Sequence, residues 1–412
     1  MGNQKDVDLS VDFCGVKFLN PFILSSAPPT TTGNMMGRAF RAGWAGAVTK
    51  TLVEDTSSIV NVTPRLASLG FPGQKARSKD NYALENIELV TDRELSVWLR
   101  EIEDLKKKYP DHVVIASIMD DASKPEGWHR LARKCEAAGA GMLELNLSCP
   151  HGMPERGMGS AIGQDKELAA RVTGWVAESV NIPVIAKMTP NVTDVGLVAK
   201  ACADAGADAI SAINTVASII GVDLETLVPH PNVSGCSSHG GLSGPAIKPI
   251  ALKAVATIAE ATDIPISGIG GITTWEDAAE FILLGSSTLQ VCTAVMVHGY
   301  GIIDDLLAGL SGFMNRKNFR KISDMVGVSL EKLVPLGKLD NKTRRVAHID
   351  TETCVQCDAC FISCRDGGYQ AVTKGTDRTY KVTEKRCSGC SLCYQVCPVP
   401  GCIAMEPLSQ VS

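Results

Sequence analysis

Residues Val113–Leu147 read VVIASIMDDASKPEGWHRLARKCEAAGAGMLELNL. A short apolar run, Val113 to Ile118, leads into the stretch Lys124–Ala140, whose apolar positions recur at helical spacing and whose Ala-Gly end is a helix stop. A second apolar run, Met142 to Leu147, follows at once. Strand, helix and strand in that order, with almost no connecting chain, make a unit of parallel sheet.

Working outward, the same alternation extends from about Phe22 to about Val297. Further strand candidates are Phe22 to Ser25, Ala47 to Thr51, Val184 to Lys187, Ala209 to Asn214, Ile264 to Gly268 and Thr288 to Val291. With the two above they make eight strands over roughly 280 residues, which suits a closed (β/α)8 barrel. An open doubly wound sheet is the competing α/β architecture, but no GxGxxG follows the first strand and no break marks a switch point. The segment from about Asn61 to Val90 is too long and irregular for an ordinary βα loop and is expected to fold over the barrel top.

The carboxyl end carries a different signal. Of the 15 cysteines, eight fall in two runs: Cys354, Cys357, Cys360 and Cys364, then Cys387, Cys390, Cys393 and Cys397, the last followed by Pro398. CxxCxxCxxxC, repeated and followed by proline, is the run of a two-cluster bacterial ferredoxin. Three cysteines converge on one cubane while the fourth reaches the other. One 4Fe-4S cluster is therefore expected on Cys354, Cys357, Cys360 and Cys397, and the second on Cys387, Cys390, Cys393 and Cys364. Paired zinc sites are the rival, but zinc takes four ligands and gains nothing from a third evenly spaced cysteine. Cys14, Cys135, Cys149, Cys202, Cys236, Cys292 and Cys402 are scattered, and Cys402 reads as packing. The expected organisation is a barrel over residues 1–312, a helical linker over 313–345 and a ferredoxin-like domain over 346–412.

Bulk composition narrows the function. The 412 residues are 45% hydrophobic with a net charge of -5, which gives no electrostatic reason to expect a polyanionic partner such as nucleic acid. MGNQKDVDLS has no basic start and apolar stretch of an export signal, Asp6 stands where an acylation site needs Ser or Thr, and no apolar run approaches the roughly 18 residues of a membrane span. A cytoplasmic protein is expected.

In a (β/α)8 barrel, chemistry sits at the carboxyl ends of the strands. There the sequence places Ser26 and Ala27, Lys50 and Thr51, Asn146 and Ser148, Lys187, Asn214 and Thr215, Gly270 and Gly271, and Cys292 and Thr293. Amides, hydroxyls, two lysines and glycines, with almost no carboxylates, suit a neutral amide-rich heterocycle and an anionic cofactor rather than glycoside hydrolysis. Gly270, Gly271 and Ile272, with Cys292 and Thr293, are expected at a phosphate. Gly240, Gly241, Ser243 and Gly244 read as another glycine-rich loop. Lys187 reads as a cation for the N1–C2=O edge of a reduced flavin. Paired clusters move single electrons, so a cofactor that exchanges both electrons and hydride is needed, and flavin does both. Cys149, at a loop entrance, reads as a general acid, against the alternative of an inert buried thiol.

NLSCPHGMPERGMG (146–159), ALENIELV (83–90), AKMTPNVTD (186–194), INTVAS (213–218) and GLSGPAIKPIAL (241–252), together with the cysteine runs, resemble the dihydropyrimidine dehydrogenases in collinear order over nearly the whole chain. The resemblance implies a dihydroorotate dehydrogenase-like barrel that reduces the C5=C6 bond of uracil or thymine. It implies Asn86, Glu88, Asn146, Ser148, Asn214 and Thr215 on the pyrimidine, Cys149 as proton donor to C5, and reduced FMN giving hydride to C6. Lys50, Lys187, Gly244, Gly270, Gly271, Ile272, Cys292 and Thr293 correspond to FMN contacts, with Ser26, Ala27, Thr51 and Ser243 beside them. The chain is most like the short bacterial subunit of the family, which implies a hetero-oligomer with a separate FAD- and NAD(P)H-binding subunit. The readings that compete with this are a dihydroorotate dehydrogenase and a flavin and iron-sulfur electron-transfer subunit without substrate.

Overall fold

The computed structural model describes residues 7–57, 59–70, 81–147 and 159–408. Two compact units divide the chain at Lys332 and Leu333. The boundary thus falls inside the 313–345 stretch expected as a linker: the helix Ile302–Lys317 and short 3-10 turns through Lys332 belong to the first unit.

All eight expected barrel strands are present: β1 Phe22–Leu24, β2 Gly46–Val48, β3 Val113–Ile118, β4 Met142–Asn146, β5 Val184–Met188, β6 Ala209–Ala212, β7 Ile266–Ile269 and β8 Ser286–Val291. Each pairs in parallel with the next, and β8 closes on β1 through Leu289 opposite Phe22. A strand with barrel interior on one face and helices on the other has no wet side, and all six residues of β3 are buried. The helix Pro125–Ala137 has proline in its first turn, buries Trp128, Leu131, Ala132 and Cys135 along one face, and is stopped by Gly139 at φ +92°. That sharp stop lets β4 begin within a few residues.

The amino-terminal hairpin, Val11–Phe13 with Val16–Phe18, covers the bottom of the barrel. Phe18 packs against Gly46 at the start of β2, where an added Cβ would lie 3.0 Å from its ring, and the Cys14 thiol donates to the Asp208 carbonyl just before β6 at 3.3 Å. The bottom is thereby closed by apolar side chains, leaving the top for ligands.

Over the top lies a four-stranded antiparallel sheet that draws on two insertions. Leu66–Gly70 and Asn81–Asn86 come from the chain after β2, and Val216–Ser218 and Gly240–Ser243 from the chain after β6. Gly241 pairs with Asn86 and Leu242 with Glu85, which joins the insertions into one lid. This corrects the reading of Gly240–Ser243 as a loop. It is a strand whose glycines permit close packing: a Cβ on Gly240 would lie 2.4 Å from Glu85, and one on Gly241 would lie 2.2 Å from the Thr215 hydroxyl.

The second unit is a twofold repeat of strand, helix and strand: Arg345–Ile349, Ala359–Gly367 and Val372–Lys374, then Tyr380–Val382, Leu392–Gln395 and Ile403–Pro407. The outer strands pair antiparallel from Arg345 opposite Pro407 to Ile349 opposite Ile403. Among the described residues no helix is long and apolar enough to cross a membrane.

Candidate active site

At the top of the barrel a cavity of about 1140 Å³, counting its open mouth, lies between the strand ends and the lid. Its lining includes Ser26 and Ala27 after β1, Lys50 and Thr51 after β2, Asn146 at the end of β4, Lys187 in β5, and Asn214 and Thr215 after β6. Gly270, Gly271 and Ile272 follow β7, Cys292 and Thr293 follow β8, and Asn86, Glu88, Ser243 and Gly244 come from the lid side. The structure thus brings together every expected substrate- and cofactor-binding residue that it describes. Ser148 and Cys149 lie outside the described residues.

Side chains on the wall hold one another. The Thr51 hydroxyl accepts from the Asn146 amide at 2.9 Å and sits 2.9 Å from the Ser117 hydroxyl, with Ser26 3.4 Å away. Asn86 donates to the Gly241 carbonyl at 3.2 Å, and the Asn214 side-chain oxygen accepts the Thr215 N–H at 2.8 Å. Asn191 donates to the Thr215 carbonyl at 3.2 Å and accepts from Ala217 at 2.9 Å, fixing the path from β6 into the lid. Amide groups presented this way offer both donors and acceptors to a planar ring.

Charge is the part that sequence reading described incompletely. Lys50 is not a lone cation: its Nζ is 2.6 Å from Glu88, which also faces Arg65 at 3.2 Å. Lys187 is not at the strand tip either. It points inward from β5, is buried, and its Nζ is 3.0 Å from Glu144 on β4. The expectation of almost no carboxylates holds for the described cavity wall, where Glu88 is the one acid, but behind that wall stands Glu144, which is fully buried and also accepts from Ser211 at 2.9 Å and from Gln290 Nε2 at 2.7 Å. The signal that pointed to it is in MLELN: a Glu inside a strand with no wet face demands a buried partner. Cys292 is half-buried in the cavity wall, and burial pushes its thiol up to about 11 against the pull of Lys50 and Lys187, so it stays neutral at ordinary pH.

Comparison with known proteins matches residues 8–314 to the dihydroorotate dehydrogenase family and residues 347–405 to the 4Fe-4S dicluster domain. The chain is 44% identical over 407 residues to the NAD-dependent dihydropyrimidine dehydrogenase subunit PreA of Escherichia coli K12, covering 97% of this chain and 95% of that protein. It is 46% identical over 334 residues to the chloroplastic dihydropyrimidine dehydrogenase (NADP(+)) of Arabidopsis thaliana, covering 80% and 78%. The chain belongs to the dihydropyrimidine dehydrogenase family. Dihydroorotate dehydrogenase B catalytic subunit of Pyrococcus abyssi is 38% identical over 325 residues, 78% of this chain and 99% of that one.

A dihydropyrimidine dehydrogenase is an oxidoreductase with flavin and iron-sulfur cofactors, and both sites can be tested on local geometry. In the barrel, Gln290 lines the cavity with a buried Oε1 that has no hydrogen-bond partner, an acceptor left over for a ligand. Gly271, at φ +77°, would bring a Cβ within 2.9 Å of the Gly244 carbonyl, so the turns after β7 and before the helix Lys248–Ala261 meet as bare backbone. Thr293 opens the short helix Thr293–His298 after β8, the place where barrels of this class hold a phosphate. The residues fit a flavin phosphate.

In the second unit, Cys354, Cys357, Cys360 and Cys397 border one void of about 300 Å³, and Cys364, Cys387, Cys390 and Cys393 border another of about 350 Å³. The fourth cysteine of each run thus joins the other run's ring. Gln356 and Asp358 in the first run, and Gly389 and Ser391 in the second, have positive φ, which bends each loop around its void. Among the described residues no group of three or more His, Cys, Asp or Glu is placed to hold a single metal ion, and rings around such voids fit cubanes better than zinc's tight tetrahedron. Cys402 borders the first void as well, with its thiol donating to the Asp350 carbonyl at 3.6 Å.

Proposed function

We propose that this chain reduces the C5=C6 bond of uracil or thymine to the 5,6-dihydropyrimidine, with FMN in the barrel cavity and two 4Fe-4S clusters in the C-terminal unit. The observation that carries the reading is the convergence of Asn86, Glu88, Asn146, Asn214 and Thr215 on the cavity that also gathers the glycine turns and both lysines. Close similarity to a bacterial protein named as a dihydropyrimidine dehydrogenase subunit supports it. The family resemblance of the sequence further implies, as part of this proposal, a separate FAD- and NAD(P)H-binding subunit as the source of electrons.

When bound, FMN supplies hydride exchange with a ring carbon and one-electron exchange with the clusters. The protein's own residues do the rest. Three asparagines and Thr215 match the alternating N–H and C=O edge of the pyrimidine and hold it flat. The lid sheet shields the cavity from water, which strengthens each of these hydrogen bonds. Ser148 adds a hydroxyl to the same edge. Cys149 Sγ gives the proton to C5 as hydride reaches C6, so two electrons and two protons are added in all. The clusters are assigned to Cys354, Cys357, Cys360 and Cys397, and to Cys387, Cys390, Cys393 and Cys364.

Glu88 separates this reading from a dihydroorotate dehydrogenase. An orotate carboxylate needs a free cation, whereas among the described residues both cavity lysines are paired, Lys50 with Glu88 and Lys187 with Glu144, and Arg65 faces Glu88 without lining the cavity. The test is uracil turnover by the anaerobically purified chain with reduced viologen as donor, with orotate in parallel. Dihydrouracil should form and orotate should remain. Unconsumed uracil with FMN and iron intact overturns the proposal. In Cys149→Ala, viologen should still reduce the flavin while pyrimidine reduction falls by about 10²- to 10⁴-fold, the usual worth of a positioned general acid.

A further inference from the structure

The two lysines of the cavity are neutralised in different ways. Glu88, the partner of Lys50, lines the cavity, whereas Glu144, the partner of Lys187, stands behind it and does not. Glu144 has no exposed surface, and both its oxygens are taken by donors: Oε1 by Lys187 at 3.0 Å, Oε2 by Ser211 at 2.9 Å and Gln290 at 2.7 Å. Lys187 and the Gln290 NH2 can only donate, and the Ser211 hydroxyl donates here too, so the carboxylate accepts from all three neighbours. Two of these donors, Lys187 and Gln290, are themselves cavity wall. Glu144 therefore touches whatever binds there only through them.

We infer that Glu144 is a positioning residue that fixes Lys187 and Gln290 and sets, as buried counter-anion, how much positive charge Lys187 presents to the flavin. The inference rests on the reading that Lys187 contacts FMN. A bare ammonium beside a flavin favours every anionic form of it, because few water dipoles screen charge inside the barrel. An ammonium with a carboxylate 3.0 Å behind it presents a dipole, whose field is weaker and shorter in range. Glu144 holds that field down while keeping Lys187 aimed inward. Among the described residues the other charged groups lining the cavity are Lys50 and Glu88, which pair with each other; the Cys292 thiol beside them is neutral at ordinary pH.

The test uses the FMN-loaded full chain and its affinity for sulfite, an anionic probe that adds to oxidised flavin at N5 and leaves negative charge on the N1–C2 edge. Glu144→Gln keeps shape and removes charge, so sulfite should bind about tenfold tighter or more and the flavin midpoint potential should rise. Lys187→Gln should do the reverse, weakening sulfite by a similar factor and lowering the potential. A purely structural role for Glu144 would move both variants the same way. Glu144→Asp, which draws the charge back by one methylene, should fall between wild type and Glu144→Gln, and it decides the matter if the Gln variant does not fold. Sulfite affinity unchanged or weakened in the Glu144 variants overturns the inference. An unchanged affinity in Lys187→Gln, with FMN bound, instead overturns the reading that Lys187 contacts the flavin.

Discussion

The barrel unit builds its cavity above a core that needs no ligand: Trp44, Trp98 and Trp128, with Phe13, Phe18 and Phe22, are fully buried in one continuous apolar cluster. The C-terminal unit has a core of twelve buried apolar residues among those described, and five of them are Cys360, Cys364, Cys387, Cys393 and Cys402. A unit that small is marginal without staples. In one region the cofactor enters a finished structure. In the other, iron is part of what finishes it.

The sharpest way to break this contrast is to remove the iron. Oxidative chelation should abolish the folded C-terminal unit, since metal binding there is folding free energy. Limited proteolysis should then cut within 333–412 while the barrel fragment survives and melts as before. A C-terminal unit that stays protease-resistant after complete iron loss would erase the distinction.

A second, smaller effect sharpens it from the barrel side. Glu144→Ala leaves Lys187 as an uncompensated buried charge, which should cost about 3–5 kcal/mol of barrel stability, read as a lowered melting temperature. The C-terminal unit should be untouched. A loss below about 1 kcal/mol, the worth of an exposed pair, would mean that water reaches the Glu144 site.

The smallest effect concerns thiols that stay thiols. Burial pushes Cys135 up to about 12 and Cys202 up to about 11, and Cys292 up to about 11, each from an ordinary 9.0. A group whose folded value is raised contributes stability that is fully present below its unfolded value and is lost as pH rises through the folded one. Barrel melting should therefore stay level from pH 7 to about 9 as far as these thiols act, then decline toward pH 11–12. Cys135→Ala and Cys202→Ala together should flatten that decline, and an unaltered slope would show that other groups set it.

The same contrast decides what the sequence disclosed. Three cysteines of each ring lie a few residues apart, so the runs were readable from spacing, and the structure sets Cys397 beside the first run's void and Cys364 beside the second's. The eight strands were readable for a similar reason, since each is a short buried run beside an amphipathic helix. The partners of Glu144 were not, because Lys187, Ser211 and Gln290 stand on β5, β6 and β8, and only barrel closure brings them together. The lid was half readable: the length of the 61–90 segment put it over the barrel top, but the pairing of Asn81–Asn86 with Gly240–Ser243, far apart in the sequence, was not to be seen. Local chemistry shows in sequence order, while chemistry assembled by β-pairing and closure needs the fold.

One anaerobic mixing experiment bears on the whole account. The chain, loaded with FMN and iron, is fully reduced, freed of donor and mixed with uracil while the flavin absorbance is followed. Rapid flavin reoxidation, with dihydrouracil formed in proportion and no response to orotate, is the predicted result. A flavin that stays reduced in the presence of uracil would contradict it.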